Sequence, residues 1–425
     1  MTKSVPGLLF RNPDGVFIVA FTLFSMLKRE TDIVGTGMFG TVCDVLYYMF
    51  FVLILLRAIF SRKDNNEKER VFLKSFTPLL VFYLAVEAIA LLFNSDQSLR
   101  YGIGSLVKSV MVIVNMIATV VALGCMYYLT KEKVVTYILI GHLINQAVVI
   151  IYGFATNDFG YALSDLFSFF SFSETSESIF EMHGATYCIG ALLLYFMTKS
   201  KTAKTSKAIF ILIPLFIIGQ KRVAVGAIAA AVLVWCVIRN MKITKKRLMA
   251  FSVLFCIVIM IFVFLLYNGT FFNLMKTLGI STSGRGLLAK YFTRQTSFSI
   301  TQLPWGLDVV NDVLYHTPYT EIAPNYIAVA LHNDILKNFI EFGFIGMIAW
   351  LYIMIVHFTE RIYEGLGERS VKMYIVLLVY TFILFMFSNS YYSSPLFLLM
   401  FILPLAISDD RDISHKKRRK GHETK

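Results

Sequence analysis

Hydrophobic runs recur along the entire chain and are separated by short polar stretches. A helix needs roughly 20 apolar residues to cross about 30 Å of hydrocarbon, and most of these runs approach that length. The pattern predicts an all-α polytopic membrane protein with about 12 transmembrane helices. The predicted segments are 5–26, 33–60, 71–93, 102–128, 134–154, 179–197, 208–218, 223–238, 248–267, 335–357, 371–387 and 395–407.

One polar interruption, between the ninth and tenth segments, is much longer than the others. We therefore treat residues 1–425 as a single integral membrane domain, with a large loop at residues 268–334, here called the long loop, and a basic tail at residues 408–425. In an otherwise apolar chain, such a loop is where polar chemistry is expected. The first run lacks a small-residue cleavage site, so it is expected to be retained as a helix.

Composition and charge narrow the class of protein. Hydrophobic residues make up 57% of the chain and charged residues 16%, and the mean hydropathy is +0.68, far from a soluble domain. The net charge of +13 arises mostly in loops and the tail. Membrane proteins carry an excess of lysine and arginine in their cytoplasmic loops, which accounts for the positive charge. The charge therefore does not indicate a nucleic-acid partner, and none is expected. The five cysteines lie inside hydrophobic runs without paired spacing, which indicates neither a disulfide framework nor a metal site.

Lysine and arginine are enriched in the loops that follow the even-numbered segments. Because such loops stay in the cytoplasm, both termini are expected there and the long loop is expected to be extracytoplasmic. Residues 155–178 contain no lysine or arginine, as an outer loop should. Lys28 and Arg29 are the exception, since this topology places them outside.

Three residues on the predicted outer side form the candidate catalytic group. Arg222 lies between the seventh and eighth segments, Arg285 lies in the long loop, and His332 precedes the tenth segment. Asn333 or Asp334 is the candidate N-cap of that segment. The helix dipole favours a neutral imidazole at such a position, and a neutral histidine can accept a proton. The alternative is a histidine that only makes hydrogen bonds at a helix cap.

Residues 285–297 have amphipathic helical spacing, so this part of the long loop is predicted to be a helix that can lie along the membrane surface. Aromatic residues further along the loop can stack on sugar rings or anchor the chain at the membrane interface, and the sequence leaves both roles open. The candidate substrate-binding residues are Lys221, Arg294, Trp305, Tyr315, Tyr319 and Asn333.

Polar residues also occur inside the predicted membrane segments, where an ionisable group is costly and usually faces a partner or a cavity. They can tie helices together or line a substrate path. Glu181 and His183, near the outer end of the sixth segment, are the strongest candidates for a path. The other residues are Asp44, Glu87, Asn115, His142, Asn145 and Gln146.

Three motifs in order resemble those of a known family. Residues 220–226 (QKRVAVG) resemble its arginine-containing helix start, and residues 283–285 (SGR) followed by 303–306 (LPWG) resemble its outer-loop motif. Residues 332–346, which begin HND and end in a Glu-x-Gly-x-x-Gly pattern, are similar to its histidine-asparagine helix. The family is the O-antigen ligase and Wzy-type polysaccharide polymerase superfamily of bacterial envelopes, and the resemblance covers residues 211–350.

Two departures from the family pattern are visible. Lys221 stands where the family usually has serine before the first arginine, and Gly306-Leu307-Asp308 lacks the Gly-x-Gly form. The additional cation at Lys221 can strengthen phosphate binding or alter the fit of the donor, and the sequence does not decide between these effects.

The resemblance implies glycosyl transfer without a metal or cofactor, from a polyprenyl diphosphate-linked oligosaccharide donor to an acceptor glycan. Arg222 and Arg285 would hold the diphosphate leaving group, because the guanidinium fork suits phosphate oxygens. His332 would take the proton of the acceptor hydroxyl, whereas Glu341 is expected to support packing. The implied location is the bacterial cytoplasmic (inner) membrane, with a flippase and a chain-length regulator as further candidate partners.

The expected function is that of a polymerase that joins lipid-linked repeat units into O-antigen, capsule or exopolysaccharide. A ligase that transfers a finished glycan to a lipid A core or another acceptor is the close alternative, because it uses the same donor. A flippase or solute transporter is the alternative from another class, and it would depend on polar groups such as Glu87 and His142 inside the membrane.

Overall fold

A computed structural model describes residues 12–28, 38–61, 72–93, 103–167, 180, 183–199, 202–219, 221–279, 285–316, 331–391 and 394–408. Every regular element in these ranges is helical. The first nine α-helices are α1 (Pro13–Leu27), α2 (Met38–Phe60), α3 (Thr77–Phe93), α4 (Ile103–Thr130), α5 (Val134–Thr156), α6 (Phe159–Leu166), α7 (His183–Thr198), α8 (Ala203–Ile218) and α9 (Arg222–Ile238). The others are α10 (Lys245–Tyr267), α11 (Thr270–Thr277), α12 (Arg285–Gln295), α13 (Val309–His316), α14 (Asp334–Leu351), α15 (Phe358–Leu366), α16 (Glu368–Phe387) and α17 (Ser394–Ser408).

Six stretches of the described chain are long and apolar enough to cross a membrane. They are Phe39–Phe60, Phe72–Phe93, Gly104–Thr156, Lys245–Tyr267, Asp334–Leu366 and Glu368–Phe387, with mean hydropathies between 2.1 and 3.1. Gly104–Thr156 contains two helices, α4 and α5, which a 3-10 turn at Lys131–Lys133 joins. The helices α1, α7, α9 and α17 are apolar but shorter. The chain is therefore a helical membrane protein, as its sequence predicts.

The surface of the helix bundle carries large apolar side chains. Phe60, Leu92 and Phe210 are 77%, 75% and 80% exposed, and many isoleucines and valines accompany them. In water, a surface of this kind would drive association. Inside a bilayer, lipid chains cover it, and the helices satisfy their own backbone hydrogen bonds.

The helices α16 and α17 lie at the centre of the bundle and are buried on nearly every side. The helix α17 packs against α4, α7 and α16, while α16 also packs against α9. Aromatic rings fill the space around them: Phe76 lies 4.9 Å from Phe358 and 4.7 Å from Phe401, measured between ring centroids. A helix that is apolar all round must be enclosed in this way.

The predicted tenth segment is not one regular helix. Within α14, Gly343 has φ 71° and ψ 177°, and beyond Leu351 the chain forms a π-helix at Tyr352–His357 that leads into α15. Residues other than glycine rarely adopt the backbone conformation of Gly343. Apolar residues continue across the break, which is why periodicity alone predicted an uninterrupted helix.

One helix boundary and the content of the long loop add to the sequence predictions. The helix α8 begins at Ala203, five residues before the predicted start at residue 208, because Thr202 and Thr205 form a reciprocal capping box. The long loop contains the helices α11, α12 and α13. Of these, α12 confirms the helix predicted from residue 285, with Leu288 and Phe292 on its buried face.

Candidate functional site

The long loop binds to α14 at the break in that helix. The non-helical backbone at Gly343 leaves groups of α14 without partners inside the helix, and loop residues 302–306 supply them. The bonds are Phe344 N to Gln302 O (3.1 Å), Trp305 N to Ile340 O (3.2 Å) and Gly306 N to Glu341 O (3.1 Å). These three backbone hydrogen bonds fix the register of the loop on the helix.

Buried charged side chains also link the long loop to α14. The Lys337 ammonium, 3% exposed, lies 2.9 Å from Asp308 Oδ1 and 3.8 Å from Glu341 Oε1. Glu341 is fully buried, and its carboxylate also accepts a hydrogen bond from Val310 N (3.3 Å). Asp308 itself has a left-handed backbone, with φ 62°. A lysine can remain charged in such a place only because carboxylates surround it.

Two further helices hold the same part of the loop. The Glu87 carboxylate on α3 accepts a hydrogen bond from Leu307 N (3.0 Å), and Ser109 on α4 donates to Leu307 O (2.7 Å). Next to Ser109, Lys108 pairs with the buried Asp312 of α13. The loop is therefore bound on three sides, by α3, α4 and α14, and forms a fixed wall over this end of the bundle.

His332 stands directly before α14 with a left-handed backbone, φ 49°. It is half-buried. The next residue, Asn333, is the N-cap, and its side-chain oxygen accepts a hydrogen bond from Leu336 N (2.9 Å); of the two predicted caps, Asn333 is confirmed and Asp334 is the first residue of the helix. Residues other than glycine are uncommon in this backbone region, although histidine enters it more readily than most, and Lys131 and Asp308 also adopt it.

The beginning of α14 is attached to residues 387–391, the last residue of α16 and the four that follow it, which we call the junction segment. The Asp334 carboxylate accepts hydrogen bonds from the backbone N–H groups of Ser390 and Tyr391, the latter at 2.7 Å. Two such bonds hold this end of α14, and with it the neighbouring His332, against the junction segment.

Arg285 lies at the same junction segment. It begins α12, and its Nη1 donates a hydrogen bond to Phe387 O (3.4 Å). Arg285 and the start of α14 therefore contact opposite ends of the junction segment, although Arg285 and Asp334 are far apart in sequence.

Arg222 begins α9, and its side chain is exposed. Gly219, just before it, accepts a hydrogen bond at its carbonyl from Thr186 (3.3 Å), and the adjacent Tyr187 is bonded through its hydroxyl to Ser388 Oγ (2.6 Å). The start of α9 is thus connected through α7 to the junction segment. Arg285 and α14 contact the junction segment directly, whereas α9 is linked to it only through the end of α8 and through α7.

The candidate substrate-binding residues have different environments. Lys221 is the N-cap of α9 and only 9% exposed, whereas Arg294 is exposed at the end of α12. Tyr315 is 78% exposed, and Lys108 Nζ lies 5.1 Å from its ring centroid. Trp305 is 5% exposed and packs on Phe292. Tyr319, Glu181 and the side chain of His183 lie outside the described residues.

Sequence reasoning missed the buried charged cluster of Asp308, Lys337 and Glu341. A signal was present, because Lys337 and Glu341 are spaced i, i+4 in an apolar helix, where unpaired charges are costly. The contribution of Asp308 was hidden, since a loop residue about thirty positions away has no periodic relation to a helix.

The other polar residues inside the membrane segments fall into two groups. Asn115 accepts a hydrogen bond from the Tyr48 hydroxyl (2.9 Å), and Asp44 lies 3.4 Å from Lys28 Nζ, so these residues connect helices. On α5, the side chains of His142, Asn145 and Gln146 are buried and make no hydrogen bond within the described part of the chain.

The fold and the site define a helical membrane protein with a structured polar loop fixed over one end of its bundle. Within the described ranges, no group of three His, Cys, Asp or Glu side chains is placed to hold a metal ion. No protein-family model and no curated protein matches the sequence.

Proposed function

We propose that the protein is a membrane glycosyltransferase that polymerises polyprenyl diphosphate-linked repeat units into a surface polysaccharide. In this proposal, the twelve predicted segments all cross the membrane and both termini are cytoplasmic. The long loop, the junction segment and the starts of α9 and α14 then lie on the extracytoplasmic side. There, nucleotide sugars are absent and a lipid-linked donor carries the energy of the reaction.

The chemistry follows from three side chains. The acceptor hydroxyl oxygen forms a bond to the anomeric carbon of the donor as the bond from that carbon to the diphosphate breaks. His332 takes the hydroxyl proton, and Arg222 and Arg285 stabilise the charge that develops on the leaving diphosphate. Arginine is suited to this role because its guanidinium stays charged and can bind two phosphate oxygens at once.

The observation that carries the proposal is that residues 387–391 contact α12 and α14 directly and are linked to the start of α9 through α7 and the end of α8. Arg285 contacts Phe387 directly, α14 is attached through Asp334, and α9 is connected through Thr186 and Tyr187.

Alanine substitution tests the assignment. Arg222→Ala, Arg285→Ala and His332→Ala should each lower the rate of chain extension by roughly a hundredfold or more, which is the size of the contributions of a general base or a charge-stabilising donor. Polysaccharide length on gels and turnover of a lipid-linked repeat unit by purified protein are the measurements. Arg285→Lys should also be strongly impaired, because it keeps the charge and loses the fork.

Matched controls separate chemistry from folding. Lys276→Ala, on the exposed surface of α11, removes a cation from the same loop, and Arg247→Ala removes an exposed arginine at the start of α10. Both should retain full chain length. If all three site variants still make long chains at normal protein levels, the catalytic assignment is wrong.

The purified reaction also separates a polymerase from a ligase. A polymerase given only the lipid-linked repeat unit should produce a ladder of lengths, whereas a ligase should produce one transfer product and require its acceptor. The position of Glu87 weighs against a transporter that depends on this residue, because its carboxylate is engaged by Leu307 of the long loop. A transporter would tolerate Arg285→Ala and move a solute in vesicles.

A further inference from the structure

A long apolar groove lies on the surface of the bundle, between α10 and the stretch of chain formed by α14 and the π-helix at Tyr352–His357. Its volume is about 530 Å³, and small-molecule sites are typically roughly 300–1,000 Å³. The wall residues all belong to the described ranges, and they are apolar except for the Tyr352 hydroxyl and the Cys256 thiol. We call this site the apolar groove. The composition of its wall suits a hydrocarbon chain.

The two sides of the apolar groove are joined to each other at both ends. At one end, the buried Ser252 of α10 donates a hydrogen bond to Ile355 O of the π-helix (3.3 Å). At the other end, the ring centroid of Tyr267 lies 5.2 Å from that of Phe339 on α14. Residues 253–264 of α10 lie between these contacts and line one side of the groove. The groove is therefore fixed by the packing of these helices.

The length and exposure of the groove fit a chain that enters from the bilayer. Residues 253–264 extend about 16 Å along the axis of α10, and the hydrocarbon of one leaflet is roughly 15 Å thick. Ile257, Ile261 and Ile348 on the walls are 50%, 52% and 48% exposed, whereas Leu351 between them is 1% exposed. A hydrocarbon chain can thus enter sideways from the lipid and contact both walls.

The long loop forms the end of the groove near Tyr267. Phe298 of the loop is a wall residue, and its ring centroid lies 5.6 Å from that of Phe339 and 5.5 Å from that of Phe264. The Tyr267 hydroxyl is hydrogen-bonded to Thr296 Oγ1 (2.6 Å). In the proposed topology this end of α10 is the extracytoplasmic one, so the groove begins at the loop and extends into the membrane.

The helix α12 connects this end of the groove to the proposed site. It begins at Arg285, which is bonded to Phe387 of the junction segment, and it ends at Gln295, shortly before Phe298. It also packs against α10. Arg294, in its last turn, is exposed and makes no ion pair within the described part of the chain. A cation therefore remains for an anionic headgroup on this side of the loop.

We propose that the apolar groove binds the polyprenyl chain of the lipid-linked donor. The inference rests on the proposed function and identifies where the lipid part of its donor is held. A diphosphate bound at the long loop requires its chain to enter the membrane beside the loop, and the groove begins there. Phospholipid tails are equally apolar, so selection depends on how well a methyl-branched chain fills a rigid concave wall.

Photo-cross-linking tests the location of the chain. The probe is a polyprenyl diphosphate without sugars that carries a diazirine in the middle of its chain, added to the full-length protein in phosphatidylcholine nanodiscs. Mass spectrometry should find adducts on residues 253–264 and 348–356 in preference to the lipid-facing residues of α2 and α3. Unlabelled polyprenyl diphosphate should compete for these adducts, while phosphatidylglycerol in the same amount should not. Even labelling of all lipid-facing helices, or equal competition by phosphatidylglycerol, would show a surface covered by ordinary lipid and overturn the proposal.

A substitution that fills the groove has a matched control on the same helix. Ile257→Trp should raise the half-competing concentration of unlabelled polyprenyl diphosphate by about fivefold, the effect of losing roughly ten close carbon contacts. Ile348→Trp, from the opposite wall, should have a similar effect. Val258→Trp, at a position that is 45% exposed and lies outside the wall, should leave that concentration unchanged. Both groove variants behaving like Val258→Trp would overturn the proposal.

Donor chain length separates a failure of this inference from a failure of the proposed function. With the repeat unit on polyprenyl diphosphate, Ile257→Trp should raise KM by about fivefold. With the same repeat unit on geranyl diphosphate, whose chain is too short to fill the groove, the substitution should leave KM unchanged. Polymer formation with equal changes of KM for both donors would overturn the groove assignment alone. No polymer from either donor, with cross-links confined to the groove, would overturn polymerisation and support the groove as a polyprenyl site.

Discussion

Lys337 is a charged residue in an apolar helix, and the carboxylates of Asp308 and Glu341 explain why it can be there. Each of these groups alone would be costly to bury, because the low-dielectric interior stabilises no isolated charge. Together they join α14 to the part of the long loop that follows Trp305. The same residues therefore determine both local stability and the placement of the loop near His332.

Replacing Lys337 with methionine should be strongly destabilising, since it leaves two carboxylates without their cation. Removing one partner of a buried ion pair costs about 3–5 kcal/mol, and the midpoint of thermal unfolding in detergent should fall accordingly. Lys290→Met, at an exposed position of α12, should change that midpoint little. Adding Glu341→Gln to Lys337→Met should restore part of the loss, and a double variant no more stable than the single would contradict this account.

The contacts of polar residues were easier to predict from the sequence at the ends of helices than inside them. Asn333 was a predicted cap and is the cap observed, because capping depends on local chemistry that a short window contains. Asp308 and Glu87 contact their partners across 29 and 220 positions of sequence. No local pattern specifies such pairs, so the i, i+4 spacing of Lys337 and Glu341 could indicate a buried pair but not its partner Asp308 in the loop.

At the scale of helices, the break in α14 is the feature that joins the membrane bundle to the long loop. A continuous helix would satisfy its own backbone groups and would offer nothing to residues 302–306. The break exposes two carbonyls and one N–H to the loop, and the loop pairs with all three. Irregular backbone in a membrane protein is tolerated where protein, and not lipid, satisfies its hydrogen bonds, as residues 302–306 do here.

Gly343→Ala should separate the loop from the helix. A Cβ at this position would lie 2.6 Å from Gln302 O, and φ 71° is unfavourable for alanine. The strain alone costs about 1–3 kcal/mol, so we expect a lower unfolding midpoint and faster trypsin cleavage in the long loop. Gly226→Ala is the control, because a Cβ there meets nothing within 4 Å and helical propensity favours alanine. Equal cleavage rates in the two variants would show that the break does not hold the loop.

Helix existence was predictable from hydrophobicity, whereas helix shape was not. The apolar residues of the segment 335–357 continue on both sides of Gly343 and through most of the π-helix at Tyr352–His357. A hydropathy profile therefore shows neither irregularity. In the long loop, by contrast, even the existence of some helices could not be predicted. The amphipathic spacing of α12 revealed it, but α11 and α13 are only eight residues long, too short for periodicity to identify.

For the whole molecule, function depends on which side of the membrane the site occupies. The starts of α12 and α14 contact the junction segment, and the start of α9 is linked to it through α7 and the end of α8. The turn at Lys131–Lys133 joins the ends of α4 and α5, and Ser109 and Lys108, near the start of α4, contact the long loop. If α4 spans the membrane, the turn and the long loop must lie on opposite sides.

Single-cysteine labelling in intact cells tests this arrangement, with the five native cysteines replaced by alanine. Thr277→Cys, on exposed α11 of the long loop, should react with a membrane-impermeant thiol reagent, while Glu132→Cys, in the 3-10 turn, should react only after the cells are opened. Because lysine and arginine are enriched in cytoplasmic loops, the lysines beside Glu132 favour a cytoplasmic turn. Lys28 does not follow this rule, since the proposed topology places it on the extracytoplasmic side. The reverse labelling pattern would place Arg222, Arg285 and His332 in the cytoplasm. Nucleotide sugars are present there, so a lipid-linked donor would have no advantage. That result would remove the basis for the proposed reaction.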